Sequence, residues 1–435
     1  MQRNENLLDG LSISNFLAQS NLQPRIEKEI QEAKQVKNHF IALLSLRESC
    51  NLACDYCYEG DKPVFSSPPR IMQDSTLESI VTQFMDFFYT HGGSVEFLFH
   101  GPEVTLDIKK IRKAIETQKS VHASLYSDKP LYRKDCTNGG TPLVINTIQT
   151  NATRINEELL SLTKEGDFRN LSISLDGPRE IHDAHRVYKD GTGSFQDVMK
   201  SIDLARKNDV NVAAVAVLTR TGLGRIEDIY SFFKEEQISF RLNPVLKPRN
   251  SNLSFTITPQ EYAQALNQLT DMYISDPNPN IKVVNIDQYF QQIYDKLLKL
   301  RREDGSFRSF GDLTISDIFA VTCQGFMCAI STVGDIYPCE RILDVPEFLY
   351  GNIRDGLETI FQSPRRMHFI DRVNYLPEGC TNCDIFSLCY GGCPAAAYCD
   401  TKNISSEDPF CEAYKSIFSH LGKIVTDHWA NKGSI

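Results

Sequence analysis

The segment Cys50-Asn51-Leu52-Ala53-Cys54-Asp55-Tyr56-Cys57 contains three cysteines at the spacing C-x3-C-x2-C. It follows the apolar run Phe40-Ile41-Ala42-Leu43-Leu44, which is typical of a buried strand. Three thiolates on so short a loop can converge on one soft metal centre. A [4Fe–4S] cluster held by only three cysteines keeps one iron without a protein ligand. A zinc knuckle or a set of buried cysteines is the alternative that this loop alone leaves open.

Outward from this loop, the chain between residue 37 and about residue 245 alternates apolar strands with amphipathic helices. The predicted strands are Phe40–Leu46, Val95–Phe99, Leu143–Ile148, Leu171–Leu175, Val212–Leu218 and Phe240–Leu242, and the predicted helices include Ser75–Thr90, Ile155–Thr163, Phe195–Lys207 and Arg225–Lys234. Six β/α units in a row predict an α/β fold with a parallel sheet, either open and doubly wound or closed towards a barrel. In both folds the site lies at the carboxyl ends of the strands.

Polar segments follow three of these strands. They are His100-Gly101-Pro102-Glu103, Gln149-Thr150-Asn151-Ala152-Thr153, and the segment from Ser172 to Pro178, which is followed by Arg186. In isolation, the first is equally well explained as a turn and the second as a helix N-cap. The guanidinium fork of Arg186 suits a carboxylate, because it can bind one through two parallel hydrogen bonds.

A second cysteine pattern lies near the C-terminus. It runs Cys323-x4-Cys328, then Gly334-x4-Cys339, then Cys380-x2-Cys383-x5-Cys389-x3-Cys393, and ends at Cys411. Eight thiolates can close two [4Fe–4S] clusters with no open iron. Structural zinc is the alternative, since four-cysteine sites also suit that ion. Cys136 and Cys399 lie outside both patterns, and their role is open.

These segments together resemble the radical SAM superfamily, and the C-terminal spacing resembles its SPASM domain. The resemblance implies a partial (β/α)6 TIM-like barrel followed by a loop-rich SPASM iron–sulfur domain. It also implies three [4Fe–4S] clusters, one SAM-binding and two auxiliary. S-adenosyl-L-methionine (SAM) would be chelated by the open iron of the first cluster, and one electron would cleave it to a 5′-deoxyadenosyl radical.

The resemblance also implies a role for individual residues. The SAM-binding cluster would take Cys50, Cys54 and Cys57, the first auxiliary cluster Cys323, Cys328, Cys339 and Cys393, and the second Cys380, Cys383, Cys389 and Cys411. SAM contacts are expected at Tyr56, Gly101, Glu103, Gln149, Asn151, Ser174 and Arg186. This chain departs from the family pattern at Pro102, which removes a backbone N–H, and at Ala152, where the family has glycine.

We predict five segments along the chain. They are an N-terminal helical segment (1–36), the radical SAM barrel (37–245), a helical bridging segment (246–318), the SPASM domain (319–415) and a C-terminal helix (416–435).

Composition excludes several other classes of protein. The formal net charge of -10 argues against a nucleic-acid surface or a basic membrane patch. Neither a membrane span nor a signal peptide is predicted, so we expect a cytoplasmic protein. In that compartment, 13 cysteines are expected to hold metal and not to form disulfides.

The family implies a peptide or protein substrate and an electron donor such as flavodoxin or ferredoxin. In sulfatase maturases an aspartate follows the cysteine equivalent to Cys339 and acts as the base; here the residue is Glu340. This difference and the altered Gly-Pro-Glu turn favour a maturase that forms a carbon–carbon or thioether crosslink in a ribosomally made precursor peptide. The alternatives are sulfatase-type oxidation of cysteine or serine to formylglycine, peptide epimerisation with Cys399 or Cys136 as hydrogen donor, a small-molecule dehydrogenase, and a non-enzymatic metal-cluster scaffold.

Overall fold

The computed structural model describes residues 23–36, 39–58, 68–136, 141–246, 254–299 and 322–432. Its strands are β1 (His39–Ser45), β2 (Ser94–His100), β3 (Val144–Thr150), β4 (Phe168–Ser174), β5 (Val212–Leu218), β6 (Ser239–Pro244), β7 (Met327–Ile330), β8 (Asp335–Tyr337) and β9 (Gly351–Asn352). Its helices are α1 (Gln23–Lys34), α2 (Asp74–Thr90), α3 (Ile108–Leu125), α4 (Glu157–Glu165), α5 (Arg179–His182), α6 (Phe195–Lys207), α7 (Ile226–Glu235), α8 (Pro259–Ser275), α9 (Val284–Lys299), α10 (Leu357–Phe361), α11 (Pro364–Ile370), α12 (Glu378–Thr381), α13 (Phe386–Cys389), α14 (Pro394–Thr401) and α15 (Cys411–Lys432).

The described strands form one sheet in the order β6-β5-β4-β3-β2-β1-β7-β8-β9. The pairs from β6 to β7 are all parallel, and the last two pairs are antiparallel. The first six strands are those predicted from the sequence, and they carry helices in their connections. The six parallel β/α units confirm the predicted α/β fold.

Strand β7 is a finding that the sequence did not predict. It comes from the cysteine-rich C-terminal region, yet it pairs in parallel with β1, with Ala42 opposite Cys328 and Leu43 opposite Ala329. Only four residues long, it is too short to give a periodic signal. The pairing attaches the first C-terminal cysteines to the strand that leads into the Cys50 loop.

Two buried groups of side chains cover opposite faces of β1 and β7. The main core includes Ala42 and Leu44 of β1 together with Cys328 and Ile330 of β7. A smaller group, here called the SPASM core, consists of Leu43, Ala329, Tyr337, Ile342, Leu343, Val345, Phe348, Phe369, Ala395 and Ile404. The alternation follows the two-residue period of a strand.

The predicted C-terminal helix from residue 416 begins earlier, at Cys411. Residues 1–22, the loop segment Asn138-Gly139-Gly140, and residues 247–253 and 300–318 of the predicted bridging segment lie outside the described residues. Among the helices of the described ranges, none has the length and apolarity needed to cross a bilayer.

Candidate active site

The Cys50 loop leaves the carboxyl end of β1 and is attached to the segment after α5. The Ala53 amide donates a hydrogen bond to the Val187 carbonyl at 2.8 Å, and Leu52 forms an isolated bridge with Tyr188. The fold therefore fixes the loop from a second part of the chain.

The three loop thiols are close enough to influence one another. Burial raises the pKa of Cys50 to about 11, and the nearby charges of Glu103 and Cys57 add to this rise. Burial raises the pKa of Cys54 to about 12, and the charge of Arg186 opposes this. Buried thiols with raised pKa values need a bound cation to remain thiolates at neutral pH.

Asn151, after β3, holds the start of this loop. Its Nδ2 donates to Asn51 Oδ1 at 3.0 Å and lies 3.6 Å from Cys50 Sγ. Its Oδ1 accepts from the Thr153 amide and hydroxyl, and Thr153 Oγ1 in turn accepts from Asn51 Nδ2 at 2.8 Å. In the structure, the side chain of Asn151 thus positions the cysteine loop; its contact with SAM stays a prediction.

Glu103, after β2, is buried and its carboxylate is surrounded by donors. Oε1 accepts from the Thr105 amide and from the hydroxyls of Thr105 and Thr150, and Oε2 accepts from the Asn151 amide at 2.7 Å. The carboxylate therefore joins the ends of β2 and β3. Both carboxylate oxygens of Glu103 accept hydrogen bonds from the protein. These bonds do not test the predicted contact of Glu103 with SAM.

Tyr56, Asp176 and Arg186 form a buried triad beside Cys54. Arg186 donates to Asp176 through Nε at 2.9 Å and Nη2 at 3.1 Å, and Tyr56 Oη donates to Asp176 Oδ2 at 2.5 Å. Burial alone would raise the pKa of Asp176, but the charge and hydrogen bonds of Arg186 outweigh burial and lower it. Arg186, which was predicted to bind SAM, thus binds the carboxylate of Asp176 through two hydrogen bonds.

Gln149, Ser174 and Gly101 lie at neighbouring strand ends. Gln149 Nε2 donates to Ser174 Oγ at 3.2 Å, and its Oε1 accepts from Ser172 Oγ at 2.6 Å. Gly101 has a φ of +115°, and a Cβ there would lie 3.0 Å from Ser45 Oγ. Glycine suits this position because the backbone needs both a positive φ and space.

Glu340 lies where the C-terminal region meets the barrel. It is buried, Tyr58 Oη donates to its Oε2 at 2.9 Å, and His100 Nδ1 lies 2.6 Å from its Oε1. Tyr58 follows directly after Cys57, and His100 ends β2. The predicted catalytic carboxylate therefore contacts residues beside the predicted SAM-binding loop.

The C-terminal cysteines influence one another in two groups. Burial raises the pKa of Cys380, Cys389 and Cys411, and the charge of Cys383 raises each of them further. Burial raises the pKa of Cys323 and Cys339, the charge of Cys393 raises both further, and all three residues pack against the SPASM core. Cys328 does not join them, because it faces the main core on the other side of β7.

Two buried charged residues tie these cysteine segments together. Arg372 donates hydrogen bonds to the carbonyls of Gly391 at 2.8 Å, Gly392 at 3.1 Å and Ile404. Asp408 Oδ2 accepts from the Cys393 amide at 2.7 Å. These bonds connect the segments that carry the C-terminal thiols.

The donor set suits iron–sulfur clusters. All of its members are cysteines, and cysteine thiolates are the ligands that [4Fe–4S] clusters take.

Family comparisons agree with this geometry. The model of the radical SAM superfamily matches residues 44–233, and the model of the SPASM iron–sulfur cluster-binding domain matches residues 323–384. Together the matches span more than half of the chain. The protein belongs to the radical SAM enzymes with a C-terminal SPASM domain, whose cofactors are SAM and [4Fe–4S] clusters.

Two relatives of this chain are anaerobic sulfatase-maturating enzymes. The chain is 29% identical over 382 residues to the cysteine-type anaerobic sulfatase-maturating enzyme of Clostridium novyi, with coverage of 85% of this chain and 91% of the relative. It is 26% identical to the serine-type enzyme of Bacteroides thetaiotaomicron, with coverage of 86% of both chains. The solved structure of native anSMEcpe with bound AdoMet and Cp18Cys peptide has the same fold, with a TM-score of 0.72, 24% identity, and coverage of 90% of this chain and 99% of that one.

Sequence reasoning missed three residues of the site. Asp176, Tyr58 and His100 were not named as functional, yet each contacts a predicted site residue. Asp176 and His100 lie at strand ends, and this position could have identified them as candidate site residues. Tyr58 had no signal beyond its place beside Cys57.

Proposed function

We propose that this enzyme oxidises a cysteine or serine side chain of a peptide or protein to the aldehyde of formylglycine. The proposal is supported by the similarity to both cysteine-type and serine-type sulfatase-maturating enzymes over most of the chain. The observation that carries it is the position of Glu340, directly after Cys339 and in contact with Tyr58 and His100. A cytoplasmic location, where thiols stay reduced, is part of the proposal.

The chemistry requires a base near the radical site. When bound, SAM and the first cluster supply a carbon radical that removes one hydrogen atom from the substrate Cβ. The substrate would also lose one proton from its sulfur or oxygen, and one further electron that an auxiliary [4Fe–4S] cluster would accept. With a cysteine substrate, water then replaces the sulfur, which leaves as hydrogen sulfide.

Glu340 suits the role of proton acceptor, because its carboxylate is buried and is held by two side chains. A positioned carboxylate can accept a proton in the transition state. His100 Nδ1 lies 2.6 Å from Oε1 of Glu340, and a protonated ring would form an ion pair with the carboxylate.

The sequence favoured crosslinking because Glu340 replaces an aspartate and Pro102 alters a family turn. The comparisons favour the sulfatase-maturase alternative instead, since relatives of that kind cover the chain almost from end to end. The longer glutamate side chain still brings its carboxylate to the loop after Cys57. We therefore replace the crosslinking prediction by side-chain oxidation.

The test uses anaerobically reconstituted full-length protein with SAM, dithionite and two synthetic peptides that differ only in a central cysteine or serine. We expect 5′-deoxyadenosine together with a peptide aldehyde, which a hydrazide probe traps and mass spectrometry locates. A peptide that loses two hydrogens but gives no hydrazone would instead show crosslinking and overturn the proposal. The same peptide with central alanine is the control.

A further inference from the structure

The two faces of β7 pack against different groups of buried side chains. Cys328 shares the main core with Ile330, and its partner across the sheet is Ala42 of β1. Ala329, between them, faces the SPASM core. Since neighbouring strand residues point to opposite faces, Cys328 points away from the SPASM core.

The remaining three cysteines of the predicted first auxiliary site lie on the SPASM side. Cys323, Cys339 and Cys393 all pack against the SPASM core. The single helical turn that follows Cys339 (Glu340–Ile342) contacts α14, which begins directly after Cys393. Cys328, by contrast, is buried within the main core.

Gln324 lies between the two sides. It is fully buried; its Nε2 donates to Cys323 Sγ at 3.1 Å and to the Pro338 carbonyl at 3.2 Å. Its Oε1 accepts from the hydroxyl of Tyr350, a residue of the main core, at 2.7 Å. The amide therefore occupies the space between Cys323 and the main core, where Cys328 is buried.

Cationic side chains lie beside the three-thiol group. Arg341 Nη1 donates to Cys393 Sγ at 3.4 Å. Arg372 donates to the carbonyls of Gly391 and Gly392, which directly precede Cys393. Asp408, whose Oδ2 accepts from the Cys393 amide, places a carboxylate in the same region.

We propose that Cys323, Cys339 and Cys393 alone hold the first auxiliary [4Fe–4S] cluster, and that its fourth iron is open to an exchangeable anionic ligand such as a thiolate. Cys328 is then a structural residue of the barrel core. The proposal rests on the cofactors of the family and is independent of the reaction proposed above.

Cys399 is the competing fourth ligand. It lies on α14 and also packs against the SPASM core. It stands six residues after Cys393, almost two helical turns along, which is about 9 Å at 1.5 Å per residue. The test therefore includes Cys399 alongside Cys328.

The experiment uses the full-length protein in which Cys50, Cys54 and Cys57 are replaced by alanine, so that all cluster iron belongs to the auxiliary sites. In this parent we introduce Cys323→Ala, Cys328→Ala or Cys399→Ala and measure iron and sulfide per chain after anaerobic reconstitution. We expect Cys323→Ala to lose about half of the iron, since two clusters share it. Cys328→Ala and Cys399→Ala should retain the iron of the parent.

A second measurement tests directly whether one iron of the first auxiliary cluster can bind an added ligand. Isotopically labelled cyanide is added to the reduced parent and to its Cys328→Ala and Cys399→Ala derivatives. We expect electron paramagnetic resonance to show coupling to the labelled carbon in all three. Loss of half of the iron in Cys328→Ala or Cys399→Ala would identify that residue as the fourth ligand and overturn the proposal, as would a parent without carbon coupling.

Discussion

The Cys50 loop and the C-terminal cysteine region gather thiols in contrasting ways. The loop places three cysteines within eight residues, and its neighbours at the strand ends hold it through Asn151 and the Asp176–Arg186 pair. The C-terminal region draws its cysteines from the strand β7, from loops and from the helices α12, α13 and α15. Its order depends on buried side chains such as Arg372 that bind backbone carbonyls.

This difference decides how well each site can be predicted from sequence. A site formed by one short segment can be recognised from the spacing of its residues. A site formed by several distant segments also requires that each side chain points towards it, which the spacing does not show. Cys328 shows the problem: it satisfies the spacing pattern, but the pairing of β7 with β1 turns it towards the main core.

The largest expected effect is the loss of SAM cleavage when a cysteine of the Cys50 loop is replaced, while the C-terminal cysteine region keeps its iron. We predict that Cys54→Ala abolishes 5′-deoxyadenosine formation, because the first cluster loses one of three ligands on a loop that has no spare thiol. Iron analysis should show that the auxiliary iron remains. Cys136→Ala, outside both patterns, is the matched control and should leave both quantities unchanged. Deoxyadenosine formation by Cys54→Ala would refute the role of the loop.

The next effect tests the contact between the regions. Glu340→Gln should lower aldehyde formation by roughly 10²–10⁴-fold, the usual contribution of a positioned acid or base, while SAM cleavage continues. The amide keeps the shape of the side chain but accepts protons poorly. Liquid chromatography of deoxyadenosine and trapped aldehyde in the same sample gives both rates. Glu347→Gln, an exposed neighbour, should behave as wild type; an equal aldehyde yield from Glu340→Gln would exclude it as the base.

A smaller effect concerns the support of the loop. Asp176→Asn leaves Arg186 buried without its carboxylate and should lower the free energy of unfolding by about 3–5 kcal/mol. Anaerobic urea unfolding followed by circular dichroism measures this loss. Asp203→Asn, in an exposed ion pair with Arg206, should cost at most about 1 kcal/mol. Equal losses in the two variants would mean that the buried pair does not support the loop.

The same pair predicts a pH dependence. The folded-state pKa of Asp176 is lowered, so its contribution is fully present above its unfolded pKa of about 3.9. The contribution is lost as the pH falls from there through the folded-state pKa. The stability difference between wild type and Asp176→Asn should therefore be constant near neutral pH and shrink in acid. A difference that grows in acid would contradict this sign.

Much of the barrel could be predicted from periodicity. The bounds of Val212–Leu218 and Phe195–Lys207 are as predicted, and the other predicted strands of the barrel shift by a few residues. Long buried runs and amphipathic helices carry strong local signals. The four-residue strand β7 carries almost none, so its place beside β1 came only from the structure.

The sequence predicted where the candidate site residues lie along the strands, but not which side chains they contact. Their strand-end positions and the Cys50 loop were predictable, because parallel strands bring their carboxyl ends together. That Arg186 binds Asp176, or that Glu103 joins Thr150 to Asn151, depends on contacts between distant parts of the chain. The predicted SAM contacts of these residues remain predictions.

The most direct test of the proposed function follows the hydrogen atom. A cysteine peptide deuterated at the Cβ of the central residue is incubated with the reconstituted wild-type protein, SAM and dithionite. We predict that deuterium appears in 5′-deoxyadenosine in parallel with the trapped peptide aldehyde. Deoxyadenosine without deuterium, while a peptide deuterated at Cα transfers its label, would show attack at another carbon and contradict the proposed oxidation.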